Sequence, residues 1–489
     1  MLFNSYQFIL LFLPIVFFVY FYLNSKRLTE LGKYFLVFSS LFFYSWWNVG
    51  YLFLIIISMI FNYSVGSALG RRVLILGFGE RVRKSFLMVG VISNISLLVY
   101  FKYSDFLIVN INFLIGNNIE LLNLALPLAI SFFTFQQIAY LVDSYRGETT
   151  EYNFLNYALF VTFFPQLIAG PIVHHKEMMP QFSRKQTKII NYRNIVSGIF
   201  IFSIGLFKKV VIADSFAVYA TSGFDMATSL NLFEAWISSL SYTFQLYFDF
   251  SGYTDMAVGS ALLFNIRLPL NFNSPYKATN IQDFWRRWHV TLSRFLRDYV
   301  YIPLGGSRVS SYRIYFNLMT TFILGGIWHG AGWTFIFWGA LHGGALVVHR
   351  LWCELGIRLW TWLAWLITIN FINIAWIFFR AREWGDAVKV LKAMFSLDDI
   401  CLPSSLFFLF KFMPEYGVKF GDWLSAIDGD KITVLMILLG FSLVLLFSNS
   451  MQQLNNLKIN YKSSIYSVII FIVSFFMIND NSIFLYFNF

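Results

Sequence analysis

The chain has 489 residues, of which 58% are hydrophobic, 21% aromatic and only 12% charged, with a net charge of +11 and a mean hydropathy of +0.64. Soluble domains carry about twice that charged fraction, so a soluble fold is excluded and an all-α polytopic membrane protein is expected. The 59 Phe and 10 Pro fit helical spans with aromatic girdles, not an outer-membrane barrel, and basic residues gathered in short loops mark topology, not a nucleic-acid surface.

In chain order, the first apolar run, 7–23, has no Lys or Arg before it and no small-residue cleavage site after it. Lys26 and Arg27 follow instead, which predicts an uncleaved first span with its N-terminus outside. A span needs about 20 apolar residues. On that basis the candidates are 7–24, 34–47, 51–68, 85–103, 125–143, 194–213, 233–250, 314–329, 332–350, 360–379, 432–448 and 464–478. These crossings put both termini outside, the basic loops 25–33, 71–84, 174–193 and 265–313 inside, and the acidic loop 214–234 outside. The run 154–173 breaks the parity. Its FFPQLIAGPIV carries Pro165, Gly170 and Pro171, so a broken or re-entrant segment is expected, with a kinked ordinary helix as the alternative. No internal repeat is visible, which gives an inverted-repeat transporter no support.

Four later stretches hold chemistry. The stretch 244–255, FQLYFDFSGYTD, sets Asp249 and Asp255 beside an apolar span. Buried carboxylates need partners, and the arginines that follow are the nearest supply in sequence, so a structural ion pair is the leading reading. The stretch 267–313 has eight Arg or Lys against two Asp. Thr279 or Asn280 can cap a helix there with Asp283 in its first turn. Trp285, Trp288, His289 and Leu292 then share one face at helical spacing, with Arg286, Arg287, Arg294 and Arg297 largely on the other. This is either an interfacial helix clamping membrane lipid or a cytoplasmic-face site for a polyanion.

The stretch 324–350, LGGIWHGAGWTFIFWGALHGGALVVHR, places His329, His342 and His349 in an otherwise aliphatic, aromatic or glycine run. An imidazole at membrane depth is costly to keep, which makes function the default hypothesis, and its ordinary pKa suits proton transfer near neutrality. The C-terminal FLYFNF, taken alone, reads as an interfacial aromatic belt. Cys353 and Cys401 allow no disulfide framework and match no metal-ligand spacing, so no metal is expected.

Taken together, FPQLIAGPI (164–172), FDFSGYTDMA (248–257), DFWRRWHVTLSRFLRDYVYIPLGG (283–306), GGIWHGAGWTFIFWGALHG (325–343) and FLYFNF (484–489) resemble the membrane-bound O-acyltransferase family. The resemblance is in particular to its bacterial branch that O-acetylates cell-surface polysaccharides. It implies a single domain over 1–489, with a motif core at 154–350, and about 11–13 tilted helices in a ring with a thin centre. A donor tunnel opens to the cytoplasm and an acceptor cavity opens outside. By the WHG and WRRWH matches, His329 and His289 stand where the family has its catalytic histidines. His342 matches a further histidine of the branch, on the acceptor side with Asp249 and Asp255.

The donor implied is acetyl-CoA, with no permanently bound cofactor. Its phosphates would be met by some of Arg286, Arg287, Arg294 and Arg297, with Trp285 and Trp288 beside them. Tyr486, in the terminal motif, is the implied acetyl carrier. The implied partner is an extracytoplasmic SGNH-type transferase that acetylates the polysaccharide, and the implied location is the bacterial cytoplasmic membrane. D-alanyl transfer and lipid or protein acylation are the alternatives within the family. A proton-coupled transporter is the rival from another class, and it would need carboxylates among the histidines, where 314–350 has none. A scaffold that only recruits the secreted transferase is the other.

Overall fold

The structure is a computed structural model that describes residues 1–70, 79–149, 153–168, 170–479 and 484–485. It is helical almost throughout. The main helices are α1 (Gln7–Ser25), α2 (Thr29–Ser45), α3 (Gly50–Leu69), α4 (Glu80–Ile115), α5 (Ile130–Arg146), α6 (Phe154–Thr162), α7 (Phe164–Leu167), α8 (His175–Ser183), α9 (Tyr192–Met226) and α10 (Leu232–Leu263). They continue as α11 (Ile281–Arg287), α12 (Val290–Leu296), α13 (Ser311–His329), α14 (Trp333–Glu354), α15 (Thr361–Arg380), α16 (Trp384–Phe395), α17 (Lys431–Leu446), α18 (Ser450–Asn455) and α19 (Tyr461–Phe476).

Among the described residues, α1, α3, α4, α9 and α15 are long and apolar enough to cross a membrane, and α17 and α19 are shorter apolar helices. Phe18, Phe38 and Phe53 stand about two-thirds exposed at 68%, 69% and 67%. Rows of such side chains suit lipid and not water. The protein is a multi-pass membrane protein.

The run 154–173 is broken, as its prolines predict. The chain turns at Phe163 (φ −47°, ψ 108°) between α6 and α7, with Pro165 in the first turn of α7, where a missing N–H costs nothing. The region after Arg380 forms α16 and two three-residue parallel strands, Cys401–Pro403 and Lys419–Gly421, with Cys401 opposite Lys419. This small strand pair is a minor addition to an all-α chain.

Two compact units divide the chain. One comprises Met1–Leu206, Tyr253–Leu270 and Leu454–Asn488; the other comprises Phe207–Gly252, Asn271–Gln453 and Phe489. Within the first, helices that gain little from hydrophobic burial in lipid are joined by amides and small residues. Ser58 donates to Gln137 at 2.7 Å, Asn94 donates to Asn62 at 2.6 Å, and Asn62 also donates to Gln137. The seam ties α3, α4 and α5. Gly66 lets α3 approach α5 so closely that a Cβ there would lie 2.2 Å from the Tyr140 ring. Phe3, Tyr253 and Phe484 form a stack, with centroids 4.7 and 4.2 Å apart. Phe3 and Phe484 therefore meet on the Tyr253 ring.

In the second unit the decisive packing is the hairpin of α13 and α14. A Cβ on Gly326 would lie 2.3 Å from the Phe335 carbonyl oxygen, and one on Gly339 would lie 2.4 Å from that of Phe322. Gly343 sits against the Met319 backbone. The glycines of the 324–350 stretch thus bring two backbones into contact, which no larger residue permits. Because the obstructing atoms are backbone, they cannot rotate away. Gly339→Ala is expected to cost about 1–3 kcal/mol, read as a lowered thermal midpoint of the purified protein in detergent. Gly344→Ala, whose added Cβ meets nothing within 4 Å, should leave the midpoint unchanged.

Candidate active site

The amphipathic helix expected within 267–313 forms in two pieces. Asn280 caps α11 by accepting from the Asp283 N–H at 2.8 Å, as its sequence position predicts. The chain then breaks at Trp288 and His289, and His289 takes a left-handed conformation (φ 42°, ψ 54°) before α12 begins. A single continuous helix is therefore corrected. The reason lies in the side chain beneath the break. The His289 Nδ1–H donates to Asn271 Oδ1 at 3.0 Å, since an amide oxygen only accepts. The same oxygen accepts from Thr291 Oγ1 at 2.9 Å, and the Asn271 carbonyl accepts from the Val290 N–H at 3.0 Å. Asn271 replaces the hydrogen bonds that a continuous helix would have supplied, and it fixes the imidazole tautomer with Nε2 as the basic nitrogen.

His289 is fully buried, and that burial pushes its pKa down to about 3. The ring is neutral at physiological pH. It stands edge-on to Phe250, with centroids 4.8 Å apart, and 6.4 Å from Trp328.

His329 is the last residue of α13, where Gly330 releases the chain into extended backbone. A Cβ at Gly330 would lie 2.2 Å from the Phe335 ring, so the WHG glycine is required by space. The imidazole is 3% exposed and is enclosed by rings: Trp328 at 4.8 Å, Phe379 at 5.0 Å and Trp338 at 5.1 Å between centroids. These three rings come from α13, α14 and α15.

His342, on α14, is fully buried and accepts at Nδ1 from the Trp285 indole N–H at 3.2 Å. That bond fixes the opposite tautomer to His289, with the proton on Nε2. Trp338 lies 4.7 Å from His342, and Phe371 lies 5.4 Å away. Trp328 thus touches two of the three histidine rings, as does Trp338, so one aromatic cluster links His289, His329 and His342. His349 is not part of it. It lines an apolar cavity of about 650 Å³ with Phe337, Gly344 and Phe371, and its Nε2 lies 3.7 Å from the Cys353 sulfur.

The remaining sequence candidates divide. Trp285 and Trp288 are buried in the histidine cluster, where Trp288 packs 5.0 Å from Trp376. Arg287 is paired with Asp283 at 2.9 Å, and Arg297 with Asp298 at 2.7 Å, while Arg286 is exposed. Asp249 is indeed in a buried ion pair, but its partner is Lys209 of α9 at 2.8 Å, not an arginine of 267–313. Lys209 also meets Asp214 at 2.7 Å. A lysine five residues before one carboxylate and forty before the other was outranked in sequence by the cluster of guanidinium groups. Asp255 is buried in the first unit, and Tyr486 lies outside the described residues.

Comparison with known proteins bears on what such a cluster does. The family model for MBOAT, the membrane-bound O-acyltransferase family, matches residues 2–382. The chain belongs to the membrane-bound O-acyltransferase family. It is 49% identical, over 100% of this chain and 98% of the other, to a peptidoglycan O-acetyltransferase of Helicobacter pylori. It is 40% identical to a probable alginate O-acetylase of Pseudomonas aeruginosa, covering 81% of this chain and 75% of that one. A teichoic acid D-alanyltransferase of Bacillus subtilis is 29% identical over 54% of this chain and 70% of its own. This member of the family is therefore a membrane acyltransferase, which sets aside both the transporter and the scaffold.

Sequence reading missed Asn271, Trp338, Trp376 and Phe379. Asn271 stood within the basic stretch 267–313 but offered only a common loop residue, and the others read as ordinary span aromatics. Asn271→Ala removes the acceptor that orients His289 and caps the break. It is expected to lower acyl transfer about tenfold or more and to cost about 1–3 kcal/mol of stability, checked by transfer rates and thermal midpoints on the same preparation.

Proposed function

We propose that this protein is an O-acetyltransferase that takes acetyl from acetyl-CoA at the cytoplasmic face and delivers it for O-acetylation of an extracytoplasmic polysaccharide. The reading is carried above all by the end-to-end match to a relative named for peptidoglycan O-acetylation. Peptidoglycan is accordingly the favoured acceptor, ahead of the alginate of the more distant relatives.

The chemistry needs a hydroxyl made nucleophilic. In this reading His329 takes the hydroxyl proton while the oxygen attacks the thioester carbonyl, and the C–S bond then breaks as the thiolate leaves. The thiolate takes up the proton from the imidazolium, which restores the neutral ring. His289 suits a different part. Its Nδ1–H is held by Asn271 Oδ1, so it would orient donor or acceptor through Nε2. The dry aromatic surround of His329 strengthens any hydrogen bond made to the developing oxyanion.

The hydroxyl attacked first is assigned to Tyr486, whose acetyl ester would be opened by the serine of an extracytoplasmic SGNH-type partner. The serine oxygen attacks the ester carbonyl and the phenol leaves. Exposed Arg286 would meet the donor phosphates. The protein would lie in the bacterial cytoplasmic membrane, with the carrier motif on the outer side.

His329→Ala is expected to lower acetyl transfer from labelled acetyl-CoA by about 10²–10⁴-fold with an unchanged thermal midpoint; activity within a factor of about two of wild type would remove His329 from the mechanism. For the carrier, peptide mass analysis after incubation with labelled acetyl-CoA is expected to find one acetyl group on Tyr486, absent in Tyr486→Phe. Label that persists undiminished in Tyr486→Phe sinks the relay.

A further inference from the structure

The residue two places before the assigned carrier does not behave as part of an interfacial belt. Phe484 is 0% exposed, and its ring stacks on Tyr253 with centroids 4.2 Å and planes 23° apart. Tyr253, also fully buried, stacks in the same way on Phe3, 4.7 Å away at 23°. Phe3 in turn packs 4.8 Å from Phe8 and 5.7 Å from Phe43, and Phe43 lies 5.8 Å from Phe164. The column of rings that starts at Phe484 therefore ends on α1, α2 and α7. A belt residue would keep one side in the headgroup layer. This ring is enclosed.

The segment before Phe484 is held at its other end as well. Phe475, in the last turn of α19, meets Tyr6 twice. Its carbonyl accepts from the Tyr6 hydroxyl at 3.2 Å, and the two rings stand edge-on at 5.0 Å. The chain thus leaves the Phe3–Tyr6 segment at Phe475 and comes back at Phe484 to the column that Phe3 supports. Closing such a loop costs entropy. The stack offsets it, since aromatic pairs hold by more than the area they bury.

We propose that Phe484 is a positioning residue: stacked on Tyr253, it pins the terminal motif and shortens the tether on which Tyr486 carries acetyl. The inference rests on the carrier reading of Tyr486 and deepens it. With Phe484 pinned, two residues separate the phenol from a fixed point. Without the stack, the nearest fixed point is Phe476 at the end of α19, ten residues back. Effective concentration at a target falls roughly as the −3/2 power of tether length, so going from two residues to ten lowers it about tenfold. Core packing alone would alter stability and leave that encounter rate as it was.

The test uses the full-length protein in lipid nanodiscs. Chymotrypsin cuts after aromatic residues and leucine, so the bonds after Leu485, Tyr486 and Phe487 report whether the motif is pinned. Cleavage of a segment that opens and closes quickly follows its open population, and Phe484→Ala is expected to speed cutting at these bonds by about tenfold or more. The same variant should label Tyr486 from acetyl-CoA about tenfold more slowly, through a lower kcat at an unchanged KM for acetyl-CoA. Phe484→Leu, which keeps apolar bulk without a ring, should keep the thermal midpoint and show both effects several-fold. Tyr253→Phe keeps the stack and should restore wild-type behaviour in both assays.

Cutting no faster in either Phe484 variant overturns the proposal. So does a wild-type labelling rate in a variant that is cut faster, or a loss in Tyr253→Phe equal to that in Phe484→Ala. The two readings fail separately. If wild type takes no label at Tyr486 while Phe484→Ala is cut faster, the pinning stands and the carrier reading falls. Label at Tyr486 in wild type, with cutting and labelling unchanged in both Phe484 variants, does the reverse.

Discussion

The contact between two helix backbones at Gly326 and Gly339 is the constraint from which the rest of the site follows. Each glycine faces a carbonyl oxygen of the neighbouring helix at a distance that excludes even a methyl group. Helices held so closely have little freedom to slide, because a shift along the axis would drive a side chain into that backbone. His329 at the end of one helix and His342 on the other are therefore set relative to each other by main chain. Trp338 then fills the space between the two imidazoles. In lipid, where apolar side chains gain nothing by meeting one another, close backbone packing is among the few ways to fix such a geometry.

The site also shows how a membrane protein holds polar rings without charging them. His289 and His342 are both fully buried, and each makes one defined hydrogen bond through Nδ1. One donates through that atom and the other accepts, so the two rings present opposite faces of the same chemistry at Nε2: a lone pair in one, a proton in the other. Asn271 and Trp285 make that choice. Neither would be found by searching for acids and bases.

Much of this was legible in sequence. Apolar runs marked the helices, prolines marked the break after Phe163, and Asn280 marked the start of α11, because each depends on local rules of span length, ring geometry and capping. His329 and His342 were legible because an imidazole is costly in an apolar span, and His289 through its match to the WRRWH motif. The partner of Asp249 was not legible, since sequence proximity favoured arginines while the fold brought Lys209. The interruption at His289 was hidden for a related reason. Helical spacing continues through it, and only the tertiary bond to Asn271 makes the turn worth more than the helix it replaces. The strand pair at 401–421 lies in a loop whose short segments carry no period long enough to read.

Position 289 consequently encodes two separable properties, a backbone turn and an imidazole. A non-glycine residue with positive φ is strained, and Asn and Asp tolerate it better than most. Truncation to alanine there would disturb the path of the main chain as well as remove the ring, so the loss it causes overstates what the imidazole contributes. Asparagine keeps the turn accessible while discarding the heterocycle, and glycine keeps the turn while discarding every side-chain atom. The difference between those two replacements, not the size of either loss, isolates the part played by the side chain.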